Sequence, residues 1–225
     1  MTSETAISSV LWDLDGTLID SEPLHFQSLV RVLDSFGIAA DPALQERLTG
    51  LSGPEVFRYC RMRFSLDISE LEWIQVRTGF YLDEATALLP RPCALELFRQ
   101  LCQWDVPQAI VSSSERTVVD ANLRALGLDS EAVVSISRND IARPKPDPEP
   151  YLLAASRLNV SAYACLVVED SLPGVRSGEA AGMHVLYWPQ NGSASFIDRL
   201  PPIRSSHEFF CAASRYLAGI QSSTS

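Results

Sequence analysis

Ser9-Val10-Leu11-Trp12-Asp13-Leu14-Asp15-Gly16-Thr17 is an apolar run that breaks off into two carboxylates, a glycine and a threonine. The run Ser9–Leu14 has strand length and predicts a buried β-strand. In a strand, residues i and i+2 face the same side, so Asp13 and Asp15 can address one ligand. Gly16 then lets the chain turn closely around it. Two adjacent carboxylates repel unless a cation lies between them or one holds a proton. The arrangement suits a divalent metal, with one carboxylate as nucleophile and the other as proton donor. An Asx-turn with two solvated aspartates is the plainer alternative, and the position at the end of a strand speaks against it.

Working outward, further short apolar runs follow at Ala109–Val111, Val133–Ile136, Cys165–Val168 and His184–Trp188. Several are apolar throughout, as in a parallel sheet covered on both faces. Helical patterns lie between them, at Glu115–Leu126, from Asp147-Pro148 to Leu158, and from Ser171 to Gly182. The alternation predicts an α/β, Rossmann-like doubly wound parallel sheet. The first interval breaks the rhythm. About seventy residues after the first strand carry only helical spacing, as in Phe26, Leu29, Val30 and Leu33, or Val56, Phe57, Cys60 and Phe64. Ser69-x-x-Glu72 is a capping box. A small helical cap over residues 18–88 is therefore expected, inserted after strand one into a core of residues 1–17 and 89–225. Ligands gather at the carboxyl ends of the strands in such a sheet, which is the edge the insertion leaves from.

The 225 residues carry a formal net charge of −10, with hydrophobic residues at 46%. That is enough apolar material for a globular core, and it excludes the disordered and collagenous classes. The acidic surplus argues against a nucleic-acid partner. No apolar run approaches the ~20 residues of a membrane span. The start, Met1 to Ser9, lacks the basic and apolar segments of a signal peptide, so a cytoplasmic address is expected. A monomer is expected as well. The five cysteines form no metal-ligand or CxxC pattern and read as reduced thiols packed as small hydrophobes. Seventeen arginines accompany a single lysine, Lys145.

That lysine lies in Arg143-Pro144-Lys145-Pro146-Asp147-Pro148, where the flanking prolines stiffen the backbone. A lysine so held delivers a compact charge to a fixed place. Two other strand ends carry polar groups. Ser112-Ser113-Ser114 follows the second strand and reads either as an anion cradle or as a serine-rich helix N-cap. Glu169-Asp170 follows the fourth and reads either as hard oxygen ligands for Mg²⁺ or as helix-capping acids.

Asp13-x-Asp15-Gly16-Thr17, Ser112, Lys145 and Glu169-Asp170, in that order, resemble the motifs of the haloacid dehalogenase-like phosphohydrolases. Glu169-Asp170-Ser171-x-x-Gly174 with Ala180-Ala181-Gly182-Met183 is similar to the branch containing β-phosphoglucomutase and sugar-phosphate phosphatases. The resemblance covers essentially the whole chain, including the inserted helices. It implies that Asp13 becomes a transient aspartyl-phosphate and that Asp15 protonates the leaving oxygen and then activates water. Gly16, Thr17, Ser112, Ser113 and Lys145 would hold the phosphate of a small phosphorylated metabolite. Asp13, Asp15 through its main-chain carbonyl, Glu169 and Asp170 would bind Mg²⁺.

Asp15 favours phosphoryl transfer over the family's dehalogenase chemistry, and a cap without lysine excludes its phosphonatase chemistry. Where the mutase has basic residues in a cap loop, this chain has Thr49-Gly50-Leu51-Ser52-Gly53, so water is the expected acceptor. The alternative of a hexose-phosphate mutase stays open, and a non-catalytic binding protein is disfavoured by the intact motif set. His25, Thr49, Gly50, Ser52 and Arg116 are candidate specificity residues, as are the cap arginines Arg47, Arg58 and Arg77. Solvated helix-surface charges are the alternative for the arginines. The late part of the chain resembles bacterial phosphatases acting on 6-phosphogluconate and related sugar phosphates.

Overall fold

The computed structural model describes residues 7–48, 51–128, 133–190 and 202–221. Strand β1 (Ser9–Trp12) is buried at every residue. Four helices follow: α1 (Glu22–Ser35), α2 (Leu44–Leu48), α3 (Gly53–Phe64) and α4 (Glu70–Glu84). Helices and strands then alternate as α5 (Ala94–Gln103), β2 (Gln108–Val111), α6 (Arg116–Ala125), β3 (Val134–Ile136), α7 (Glu149–Leu158), β4 (Cys165–Glu169), α8 (Leu172–Ala180), β5 (His184–Tyr187) and α9 (Ser206–Gln221).

The strands pair in parallel in the order β3-β2-β1-β4-β5. The chain therefore builds outward from β1 in one direction and restarts at β4 in the other, which makes the β1/β4 boundary the switch point where ligands bind in such sheets. Trp12 stands level with Ile110 of β2 and Val168 of β4. Asp13 leaves the sheet at that point, its N–H donating to the Val168 carbonyl at 2.9 Å.

Alternate residues of the central strands face opposite ways. Leu11, Ala109, Val111, Val167 and Val185 share one buried cluster with Tyr151 and Ala154 of α7 and Val175 of α8. Trp12 points the other way and packs tilted against Phe98 of α5 at 6.1 Å and Phe209 of α9 at 6.3 Å. Its Nε1 donates to Gln108 at 2.9 Å, which satisfies the one polar atom of a fully buried indole. Coverage on both faces is why these strands are apolar throughout rather than alternating. No helix among the described residues is long and apolar enough to cross a membrane.

Helix α7 starts one residue later than its sequence signal. Pro148, not Asp147, holds the N-cap position, although Asp147 Oδ1 still accepts the Glu149 N–H at 2.9 Å. The thiols divide differently from expectation. Cys60 and Cys165 are buried, but Cys102 and Cys211 are exposed, so packing explains only part of the set.

The chain forms two compact units, residues 21–88 and residues 1–20 with 89–225. The break falls after Asp20 rather than before Leu18, because Leu18 and Ile19 are fully buried in the sheet-bearing unit. There the outgoing and returning chains pair, Asp20 N–H to Leu89 O at 3.0 Å and Arg91 N–H to Leu18 O at 2.9 Å. The helical unit has its own core of Leu29, Val32, Leu33, Val56, Phe57 and Trp73, with the Phe57 and Trp73 rings 5.7 Å apart. Ser69 and Glu72 cap α4 reciprocally, which stabilises its start by about 1 kcal/mol.

Candidate active site

The ends of β1 and β4 and the loop that leads from β3 to α7 bring Asp13, Glu169 and Lys145 together in the sheet-bearing unit. The Lys145 ammonium donates to Asp13 Oδ1 at 2.7 Å, to Glu169 Oε1 at 2.7 Å and to the Val111 carbonyl at 2.9 Å. Those partners use all three donors of an ammonium group. The lysine side chain is 4% exposed and Glu169 is fully buried. Burial alone would lower the Lys145 pKa, but Asp13 and Glu169 outweigh it and hold the ammonium well above its ordinary value.

Glu169 is saturated within the protein. Oε1 also accepts the Tyr151 hydroxyl at 2.9 Å, and Oε2 accepts the Ser171 N–H at 3.0 Å and hydroxyl at 2.8 Å. Two carboxylate oxygens have about four acceptor sites, so little capacity is left for a direct metal bond. Its carboxylate also fills the space where a Cβ on Gly174 would stand, 1.6 Å from Oε1. The glycine of the Glu169-Asp170-Ser171-x-x-Gly174 string is therefore a steric requirement of the glutamate.

Asp13 differs. Its Oδ2 is buried and has no hydrogen-bond partner. Burial, reinforced by Glu169, pushes its carboxyl up to about 7 against the pull of Lys145. One ligand oxygen each from Asp13, Glu169 and Asp170 lie within 4.8 Å of one another. A donorless buried oxygen beside two further carboxylates is a set of hard ligands that fits Mg²⁺, with Asp13 and Asp170 better placed to bind directly than Glu169. Gly16, at φ +84°, brings the backbone against Asp170, whose Oδ2 lies 2.1 Å from the point a Cβ would occupy.

Asp15 sits in a separate polar nest. Its Oδ2 accepts Ser112 Oγ at 3.0 Å and Ser114 Oγ at 2.8 Å, and its Oδ1 accepts Asn122 Nδ2 at 2.8 Å. Ser112 Oγ in turn accepts the Ser114 N–H at 2.9 Å. The serine string is thus a clamp on Asp15 rather than a helix cap, since Glu115 holds the N-cap position of α6 without a side-chain bond, while Ser113 is exposed. Thr17 is fully buried, and its hydroxyl has no partner.

The remaining candidates among the described residues have partners of their own or are exposed. Arg116 donates to Ser135 Oγ at 2.8 Å and to Asp140, and pairs with Asp120 at 3.5 Å, so its guanidinium ties α6 to the end of β3. Ser52 is exposed and caps α3 through Glu55, at 2.8 Å from its N–H and 2.6 Å from its hydroxyl. His25 is half-buried, stacked 4.6 Å from Tyr81, and its carbonyl accepts Arg77 Nη2 at 3.1 Å. Arg47 and Arg58 are exposed. Thr49 and Gly50 lie outside the described residues. Asn122, Tyr151 and Arg91 contact the site or its loop without having been named from the sequence.

Paired aspartates leaving the central strand at a switch point, faced by a buried lysine and an acidic pair, define a hydrolytic enzyme of the α/β class. The chain belongs to the haloacid dehalogenase-like hydrolases, whose family pattern matches residues 10–188, and within them to the phosphoric monoester hydrolases. It is 34% identical to hexitol phosphatase A of Escherichia coli K12 over 78% of this chain and 80% of that protein. It is 32% identical to validoxylamine A 7'-phosphate phosphatase of Streptomyces hygroscopicus subsp. limoneus, over 77% of this chain and 81% of the relative. Among solved structures, a haloacid dehalogenase-family hydrolase from Deinococcus radiodurans, with bound phosphate and sodium, superposes with a TM-score of 0.69. It is 27% identical, with 96% of this chain and 98% of that chain covered.

Proposed function

We propose that the protein is a Mg²⁺-dependent phosphatase of small phosphorylated carbohydrates that works through an aspartyl-phosphate on Asp13. The observation that carries this reading is the asymmetry of the two aspartates. Asp13 has one oxygen on Lys145 and the other without a donor, whereas both Asp15 oxygens rest on hydroxyl and amide donors. Pairs of carboxyl groups in contrasting environments are how one site divides nucleophilic from acid–base work.

In the first half-reaction an Asp13 oxygen bonds to phosphorus as the bond from phosphorus to the sugar oxygen breaks. Asp15 gives its proton to that leaving oxygen. In the second, Asp15 takes a proton from water, whose oxygen attacks phosphorus, releasing inorganic phosphate and regenerating Asp13. Asp15 exchanges one of its serine or asparagine donors for the reacting oxygen to do this. Lys145 supplies a fixed positive charge to the non-bridging oxygens, and the exposed Ser113 stands beside Ser112 to meet the same phosphate. Mg²⁺, held by Asp13, the Asp15 carbonyl and Asp170, would neutralise charge on the transferring group. The carbohydrate class rests on the names of the relatives, which include a hexitol phosphatase and a phosphorylated carbohydrates phosphatase from Thermotoga maritima, 30% identical.

The test is phosphate release from hexitol phosphates, hexose phosphates, 6-phosphogluconate and p-nitrophenyl phosphate, with Mg²⁺ and after chelation. Turnover that is lost on chelation and in Asp13→Asn, with the fold retained, is the expected result. A protein that hydrolyses none of these esters refutes the reading, and wild-type turnover in Asp13→Asn refutes the nucleophile.

A further inference from the structure

Arg91 lies two residues beyond the point where the chain returns from the helical unit, in a stretch whose prolines read as a plain connection. It is only 8% exposed. Its Nη1 donates to the carbonyls of Gly16 at 2.8 Å and Trp188 at 2.6 Å, and its Nη2 to the carbonyl of Pro189 at 2.9 Å. Three carbonyl oxygens pointing at one place repel one another unless a cation occupies it. The guanidinium lies 3.6 Å over the Trp188 ring, which stacks at 4.0 Å on Phe209 of α9.

The partners matter because of where they sit. Gly16 belongs to the loop after β1, and Trp188 and Pro189 follow β5. The sheet order puts β4 between those strands. Arg91 thus straps the β1 loop to the β5 end across the strand end that carries Glu169 and Asp170. Gly16 is also the residue against which the Asp170 carboxylate packs. The orientation of the Gly16 carbonyl and the seat of Asp170 are therefore fixed at one residue, from two sides.

We propose that Arg91 is a positioning residue for the hydrolytic reaction, holding the Asp13–Gly16 loop in register with Asp170. The inference rests on the phosphatase reading. Lysine does not substitute for it. Its single tetrahedral nitrogen cannot reach three carbonyls addressed by two nitrogens of a planar fork, nor lie flat on the indole.

The test is steady-state hydrolysis of p-nitrophenyl phosphate by Arg91→Lys, assayed with Mg²⁺ well below the variant's own thermal midpoint. Displacing a reacting group by about 1 Å can cost on the order of a hundredfold in rate, so kcat falls by about tenfold to a hundredfold. KM stays within about twofold, because the substrate's binding groups are untouched. A folded Arg91→Lys with wild-type kcat, or with a loss confined to KM, overturns the proposal. If that variant does not fold, Trp188→Leu serves in its place. It removes the ring under the guanidinium, keeps all three carbonyls, and is expected to lower kcat by a smaller factor. Unchanged kcat there also overturns the proposal. Failure of the wild type itself to release phosphate removes the underlying reading, whereas an active wild type beside an unaffected Arg91 variant removes only the role of Arg91.

Discussion

Gly174→Ala is expected to damage both stability and turnover, against what helix propensity alone dictates. Gly174 lies in the first turn of α8, where alanine in place of glycine ordinarily adds up to about 1 kcal/mol. Here the new methyl would stand 1.6 Å from Glu169 Oε1, 1.8 Å from its Cδ and 2.3 Å from its Oε2, and must be separated from them by more than 3.0 Å. The obstacle is a fully buried carboxylate with four donors, not the free end of a flexible chain. Glu169 must leave Lys145 and Tyr151, or α8 must shift. Disturbing a buried, hydrogen-bonded ion pair costs about 3 kcal/mol at the low end. Set against the propensity gain, the net loss is about 2 kcal/mol, which lowers the melting midpoint of a chain this size by roughly 4–8 °C. Lys145 loses a partner that fixes its place beside Asp13, and kcat is expected to fall on the order of a hundredfold. Thermal unfolding and p-nitrophenyl phosphate hydrolysis measure the two effects. A Gly174→Ala protein that is as stable as wild type and turns over within about twofold of it would refute the packing argument.

Two further outcomes follow from named contacts. Lys145→Arg keeps the charge but replaces three tetrahedral donors, matched to Asp13, Glu169 and the Val111 carbonyl, with a longer planar group. The rate is expected to drop by about a hundredfold or more, and wild-type kinetics would make the single lysine incidental. Asp140 tests stability rather than rate. Burial pushes its carboxyl upward, but the Ser137 donors, Arg116 and Arg157 outweigh that and hold it well below the ordinary carboxylate value. The folded state therefore releases this proton more readily than the unfolded one. Its contribution is fully present above the ordinary carboxylate value of about 3.9 and is lost as the pH falls below it. Asp140→Asn is expected to lower the melting midpoint near neutrality and to flatten its decline between about pH 5 and pH 2. An unchanged acid slope would contradict the assignment.

The legible part of this protein lies where local rules and tertiary placement agree. Apolar runs ending in Asp13, Ser112 and Glu169 announced parallel strands, and in a doubly wound sheet their carboxyl ends converge. The acidic residues and Lys145 met there for that reason. Residues whose roles depend on the far side of a contact were not legible. Asn122 is a polar residue within α6 and becomes informative only when that helix places it on Asp15. Arg91 resembles any linker arginine until three carbonyls from distant segments surround it. For Arg116 only the position after the serines was visible, whereas Ser135 and Asp140, which take its donors, belong to the next strand and its exit. Helix α9 did carry a start signal, Ser205-x-x-Glu208, whose serine hydroxyl accepts the Glu208 N–H at 3.1 Å, but nothing in the sequence says what that helix covers. It is held by what it covers, through Phe209 against Trp12 and Trp188.

The burial of Lys145 has a practical consequence for anyone labelling or mapping the protein. The 225 residues contain one ε-amino group, and it is protonated and enclosed between two carboxylates. Acylating a lysine needs a neutral, accessible amine, so the native protein offers these reagents no lysine target. An acyl group found on residue 145 therefore marks a molecule whose centre had come apart when the reagent arrived. A single peptide then reports the integrity of the whole site, with no engineered probe and no competing background from other lysines.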